Sequence, residues 1–481
     1  MAKFQTALFS GYWIVLLSFL ILLFGILFFN NSSLVSIANL TSAINQQAVI
    51  TKQQTIPFSC ATGNLTCPSI NITSHTLPPS SSCPEYFRWI HEDLRPWAET
   101  GITKDAVMRA KKLEATFSLI ILNGRVYVER LRPIYQTRDI FTIWGIVQLV
   151  RRYPGRVPDL ELMFNCKDGP LVKKADYMAV GAPIPPPLFR YCKNNVTLDI
   201  VLPDWSFWGW AEINIKPWDT QLKEIREGNE RTKWKDRSPY AYWKGNPYVA
   251  QTRGDLLKCN ISKSHDWNAR IFKQDWHKEE RKGYQNSNLA DQCTHRYKIY
   301  IEGEGWSVSE KYILACDSPT LFVNSRFEDF VSRALIPGRH YWPIRDDDKC
   351  RSIKFAVDWG NSHQEEAQRI GKTASRFLRE EMNMENVYDY MLHLLVEYSK
   401  LFKYKPVVPP GAVEYCSESM ACPRKGRHRE YMMESMVKAP HHKGPCSIPP
   451  PYDPGEMHEF LRMKANYTKR VEDLEEKAWK S

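Results

Sequence analysis

YKIYIEGEGWSVSEKYILAC, residues 297–316, decides the fold, because it reads as a strand, a glycine loop and a helix in immediate succession. Tyr297, Ile299 and Ile301 recur at the period of a strand, and Gly303 and Gly305 follow where the chain must turn tightly and let backbone approach closely. Ser307 and Glu310 have the S-x-x-E spacing of a capping box, which predicts a helix from about Ser307 with Val308, Tyr312, Ile313 and Ala315 turned inward. In that geometry unpaired N–H groups and the positive end of a helix dipole face the loop, a seat for a diphosphate. A purely structural strand-to-helix turn has the same spacing, so other segments must decide between the two.

Downstream, a strand around Leu321 to Val323 completes a β-α-β pattern. Upstream, Leu160, Leu162 and Phe164 alternate into Asn165-Cys166-Lys167-Asp168-Gly169-Pro170, which puts a carboxylate just past a strand end, where sites in open α/β sheets gather. FSLIILNGRVYVERL, from Phe117, predicts a hairpin turning at Asn123-Gly124. Thr103 caps a helix carrying Ala106, Val107 and Ala110, and DIFTIWGIVQLVRRYP, from Asp139, predicts an amphipathic helix ending before Pro154. A strand from Leu198 to Leu202 runs into Pro203-Asp204-Trp205-Ser206-Phe207-Trp208-Gly209-Trp210. Beyond Glu365 the pattern is helical, with Ala367, Ile370, Ala374 and Phe377 on one face and Val387, Tyr390, Met391, Leu394, Leu395, Tyr398 and Leu401 on another.

The 481 residues, 43% hydrophobic and 12% aromatic, suffice for a large core. A net charge of +11 favours anionic partners such as nucleotides, acidic glycans or head groups, and without an arginine-rich arm or zinc-finger spacing no nucleic-acid partner is expected. Residues 12–29, YWIVLLSFLILLFGILFF, carry no charge and are long enough to span a bilayer. Lys3 precedes them and the next cation is Lys52, which predicts a single-pass, type II signal anchor with a lumenal catalytic part. Phe28-Phe29-Asn30-Asn31 lacks the small-residue pattern of a cleaved signal. All twelve cysteines follow the anchor, where an oxidising lumen forms disulfides, and Asn30, Asn31, Asn39, Asn64, Asn71, Asn195, Asn260 and Asn466 stand in N-x-S/T sequons. EEKAWKS at the C-terminus is not a retrieval signal, so the anchor supplies retention in the Golgi membrane or, alternatively, the endoplasmic reticulum.

FNCKDGP from Phe164, PDWSFWGW from Pro203, YWKGN from Tyr242 followed by Arg253, and the loop from Gly303 to Lys311 occur in an order and spacing that resemble the Rumi-like protein O-glucosyltransferases, the capsule-associated glycosyltransferase family, in its plant branch. The likeness runs from Cys83 to about Tyr404. It implies an α/β fold of GT-B type, two Rossmann-like lobes around a central cleft, here preceded by a transmembrane helix. It also implies inverting transfer from a UDP-sugar, without metal or other cofactor, to a hydroxyl of a protein or polysaccharide; glucose and xylose both remain as donors. The expected division is a cytoplasmic tail (1–11), an anchor (12–29), a lumenal stem (30–82), an acceptor-side lobe (83–202), a donor-binding lobe (203–365), C-terminal helices (366–408) and a peripheral charged tail (409–481).

An inverting transfer needs one base to take the acceptor proton, and Asp168 matches the family's; the alternative is an Asp-Gly-Pro turn accepting backbone hydrogen bonds. The leaving diphosphate must be met by cations or aligned N–H groups. Lys244, Gly245 and Asn246 stand where the family has W-R-G-S, exchanging a bidentate fork for a point charge, and Arg253 corresponds to the second family arginine across a small gap. In the donor loop Gly303, Gly305, Trp306, Ser307 and Ser309 keep the backbone seat, but the animal R-G-V-A-A-S-F-R is replaced and both its arginines are gone, leaving Lys311 in partial compensation. Asp204, Trp205 and Trp208 are the expected acceptor or sugar contacts, with core packing an equal reading of that aromatic run. Two rivals stay open: a metal-dependent transferase using Asp346, Asp347 and Asp348, and a catalytically silent glycan-binding or scaffold protein retaining the fold. A glycosidase would want two cooperating carboxylates, and only Asp168 stands out.

Overall fold

The computed structural model describes residues 55–60, 67–68 and 81–480. The expected anchor and most of the stem lie outside these residues, and no helix among them is long and apolar enough to cross a membrane. The first half of the chain holds β1 (Phe117–Leu122), β2 (Arg125–Arg130), β3 (Leu160–Phe164), β4 (Leu188–Arg190), β5 (Cys192–Lys193) and β6 (Ile200–Val201). The second holds β7 (Ser238–Gly245), β8 (Ala269–Lys273), β9 (His295–Tyr300), β10 (Thr320–Val323), β11 (Glu328–Asp329), β12 (Tyr341–Ile344) and β13 (Val413–Tyr415). One sheet has the order β13-β2-β1-β3-β4-β6, antiparallel as far as β3 and parallel from β3 to β6. The other, β12-β10-β9-β7-β8, is parallel throughout, and a short β5–β11 ladder ties the two halves of the chain together. The result is a mixed α/β fold.

Local chemistry explains the elements. Asn123 and Gly124 both take positive φ (51° and 72°), the type I′ turn whose twist suits a two-residue hairpin, and Leu122 pairs with Arg125 across it as expected. Tyr297, Lys298, Ile299 and Tyr300 are all buried, since a central strand of a parallel sheet is covered on both faces. The helix Arg138–Arg152 differs from the amphipathic expectation: every residue from Asp139 to Arg151 is buried. Its outer face is covered by the C-terminal segment, where Trp144 Nε1 donates to Ser435 Oγ (2.9 Å) and Gln148 Nε2 donates to Ser417 Oγ (3.1 Å).

That segment corrects the expected peripheral tail. It supplies edge strand β13, the disulfides Cys60–Cys422, Cys67–Cys416 and Cys83–Cys446, and a helix, Pro454–Lys480, whose Val471 joins the core under the parallel sheet. Two more disulfides, Cys259–Cys350 and Cys293–Cys316, lie in the second half, while Cys166 and Cys192 are free and buried.

Taking the strands of the parallel sheet in chain order, they lie 2-1-3-4-5, so the winding reverses between β7 and β9. At such a switch point the loops leaving neighbouring strands diverge and open a crevice beyond their carboxyl ends. Here those ends are Lys244-Gly245 and the loop entered at Ile301.

Candidate active site

A cavity of about 1030 Å3 opens at this switch point, lined by Asp168 beyond β3 and by the donor loop, with Gly303, Glu304, Trp306, Ser307, Val308 and Ser309 facing it. That volume is at the upper end of the range for small-molecule sites, enough for a sugar nucleotide. The Asp168 side chain is 37% exposed, and its Oδ1 accepts from Arg138 Nη1 at 3.0 Å. Its carbonyl oxygen accepts from Cys192 Sγ at 3.1 Å.

Gly305 has an ordinary φ, and close approach is what requires glycine there. A Cβ would lie 2.8 Å from the Asp168 carbonyl carbon and closer still to its oxygen, so the two loops meet backbone to backbone. Gly305→Ala should therefore push the donor loop off the Asp168 turn. The expected result is a stability loss of about 1–3 kcal/mol with a fall in kcat of about 100-fold. Denaturant melts and UDP release measure the two; a variant with normal kcat would show that the contact is dispensable.

The expected capping box does not form. The helix is one turn, Glu310–Leu314, and Ser309 at its N-cap makes no side-chain cap. Ser307 Oγ instead accepts from Arg253 Nη2 (2.8 Å) and bonds Ser309 Oγ (2.8 Å), while Ser307 N donates to the Tyr300 hydroxyl (3.2 Å). Glu310 cannot reach back because it is buried, which holds its carboxyl well above the usual range. One turn carries little dipole, so the loop's own amides matter more. Gly303 N is occupied by Gly305 O (3.2 Å), whereas the Val308 and Ser309 N–H groups donate to nothing among the described residues.

Lys244 lines the cavity and donates its Nζ to Asn286 O. Gly245 leaves room for the Trp243 ring, 2.5 Å from where a Cβ would stand, and Asn246 Oδ1 accepts from Tyr248 N (3.0 Å). Arg253 donates to Glu302 O (2.8 Å) and Ile301 O (3.1 Å) as well as to Ser307, and so staples the helix Gln251–Leu256 to the donor loop; burial lowers its pKa. Gly303, Trp306, Ser307, Ser309 and Trp205 share the same wall.

Three expected contacts are not on that wall. Lys311 points inward from the one-turn helix and pairs with Asp204 (3.2 Å), with Ser206 Oγ 2.6 Å from its ammonium; both charged side chains are buried. Trp208 is wholly buried and donates its Nε1 to the Tyr388 hydroxyl (2.9 Å). The charge expected to compensate for the lost arginines is therefore committed to Asp204. Asp346, Asp347 and Asp348 pair with Lys349 (3.1 Å), Arg345 (3.0 Å) and Arg351 (3.4 Å), away from the cavity wall.

Trp210 of the expected aromatic run lines the cavity, which also uses residues that sequence reasoning missed: Arg138, Tyr242, Lys273, Gln274 and Lys298. Lys298 is buried, its Nζ 4.0 Å from the Tyr242 ring centroid and donating to Gln292 O (2.8 Å); burial, then Arg237, holds its pKa well below the usual lysine value. A lysine inside a strand covered on both faces was a readable signal. Arg138 carries none, because its partner Asp168 is 30 residues away in sequence and reaches it only through the fold.

The family model for glycosyl transferase family 90 matches residues 78–475. Protein O-glucosyltransferase 1 of Homo sapiens is 26% identical over 353 residues, covering 70% of this chain and 85% of the relative. The O-glucosyltransferase rumi homolog of Aedes aegypti is 24% identical over 331 residues (65% and 77%), and O-glucosyltransferase rumi of Drosophila melanogaster is 20% identical over 343 residues (68% and 80%).

Proposed function

The chain belongs to glycosyl transferase family 90, and from that premise we propose that this glycosyltransferase is a GT-B-type, inverting enzyme that moves glucose or xylose from a UDP-sugar to a hydroxyl of a protein or polysaccharide. The names of its relatives favour glucose and a protein acceptor. One observation carries the reading: the Gly305 backbone rests on that of Asp168, so the Asp168 carboxylate and a loop with free amides face one cavity.

In that arrangement the acceptor hydroxyl loses its proton to Asp168 as its oxygen bonds to the anomeric carbon. The bond from that carbon to the nucleotide breaks on the opposite face. Its electron pair passes to the diphosphate, whose charge is met by Lys244 and by the Val308 and Ser309 N–H groups. Arg253 acts mainly by holding the loop. The disulfides, together with the apolar N-terminal stretch, support a membrane-anchored lumenal enzyme of the secretory pathway.

Full-length protein assayed for UDP release against several UDP-sugars should turn over UDP-glucose or UDP-xylose, and EDTA should leave the rate unchanged. Complete loss with EDTA, restored by Mn²⁺, would favour a metal-dependent transferase; turnover of no UDP-sugar would refute the donor assignment.

A further inference from the structure

Arg138 is held in a built cage. Its guanidinium carbon lies 4.8 Å from the centroid of Trp205 and 5.8 Å from that of Trp210, rings that themselves meet edge to face at 4.9 Å. Trp210 is fixed in turn by its Nε1 donating to Gln136 Oε1 (2.8 Å), and Gln136 takes a left-handed φ of 59°, a conformation that costs energy and persists only where its surroundings enforce it. The Arg138 side chain is 12% exposed, its Nη1 reaches Cys166 O (3.4 Å) as well as Asp168 Oδ1, and its Nε is buried without a partner. Of the two oxygens of Asp168, only Oδ1 is engaged among the described residues.

We propose that Arg138 is a positioning residue: packed against the rings of Trp205 and Trp210, it grips Oδ1 of Asp168 so that Oδ2 alone is aimed at the hydroxyl to be deprotonated. A flat guanidinium suits this task, because stacking fixes its plane and its N–H groups then point in set directions, which an ammonium cannot reproduce. A carboxylate free to rotate would present the wrong lone pair for much of the time. The inference rests on reading Asp168 as the base.

The test compares Arg138→Ala, Arg138→Lys and Asp168→Asn in the full-length protein, with hydrolysis of UDP-glucose by water as the probe reaction and UDP affinity by calorimetry. Arg138→Ala should lower kcat by about 100-fold while the Kd for UDP stays within about twofold, and added guanidinium should restore much of the loss by refilling the cage. Arg138→Lys, which keeps the charge without the fork, should lose about tenfold. Unchanged kcat in either variant, or a UDP affinity that falls in step with the rate, would overturn the positioning role. If Arg138→Ala does not fold, Arg138→Lys alone decides by the same criterion. Wild-type turnover by Asp168→Asn would instead remove the base assignment, a failure separate from that of Arg138.

Discussion

Asp168→Asn should lower the transfer rate by about 1,000-fold to 10,000-fold, the upper part of what a positioned general base contributes. UDP affinity should be nearly unchanged. The substitution is close to isosteric, and the new amide oxygen can still accept from Arg138, so the turn packed under Gly305 keeps its shape. What is lost is the ability to take a proton. The proposed nucleotide contacts, Lys244 and the Val308 and Ser309 N–H groups, are other groups of the cavity lining, so calorimetry with UDP should report an intact donor site. Initial rates of UDP release measure the chemistry; normal turnover would exclude Asp168 as base.

Lys311→Met should destabilise the protein by about 3–5 kcal/mol, because it leaves the buried carboxylate of Asp204 without its cation. The folded fraction should bind UDP normally. A denaturant titration monitored by tryptophan fluorescence gives the stability. The opposite pattern, lost UDP affinity with little change in stability, would place Lys311 in the donor site after all. Adding Asp204→Asn to Lys311→Met should recover part of the loss, since the orphaned charge is then removed, and the shortfall from additivity reports the coupling of the pair.

Lys311 also shows why some of the site was legible in the sequence and some was not. The strand and glycine loop of residues 297–316 are found in the expected order, because alternation and glycine placement are local signals, while the helix after them starts at Glu310 instead of Ser307 and lasts one turn. The Asn123-Gly124 hairpin and the carboxylate beyond β3 are local signals too. Which way a side chain at the end of a one-turn helix points is not local. It depends on what lies across the fold, and Asp204 stands 107 residues away in sequence. The capping box failed for the same reason: Ser307 had a better partner in Arg253, 54 residues distant, and Glu310 was drawn into the interior. Arg138 meets Asp168 only because the helix Arg138–Arg152 and β3 come together, and nothing in the spacing of either announces it. The built-in tail rests on cross-links such as Cys60–Cys422, whose pairing no spacing reveals.

Departing nucleotide charge should be received at the switch point, in the cavity where Gly305 packs the donor loop against Asp168. A crystal of the protein soaked with UDP tests this most directly. Diphosphate density beside Lys244 and the Val308 and Ser309 amides, with the glycosyl position facing Asp168, is the predicted result. Density for the nucleotide outside this cavity would contradict the account.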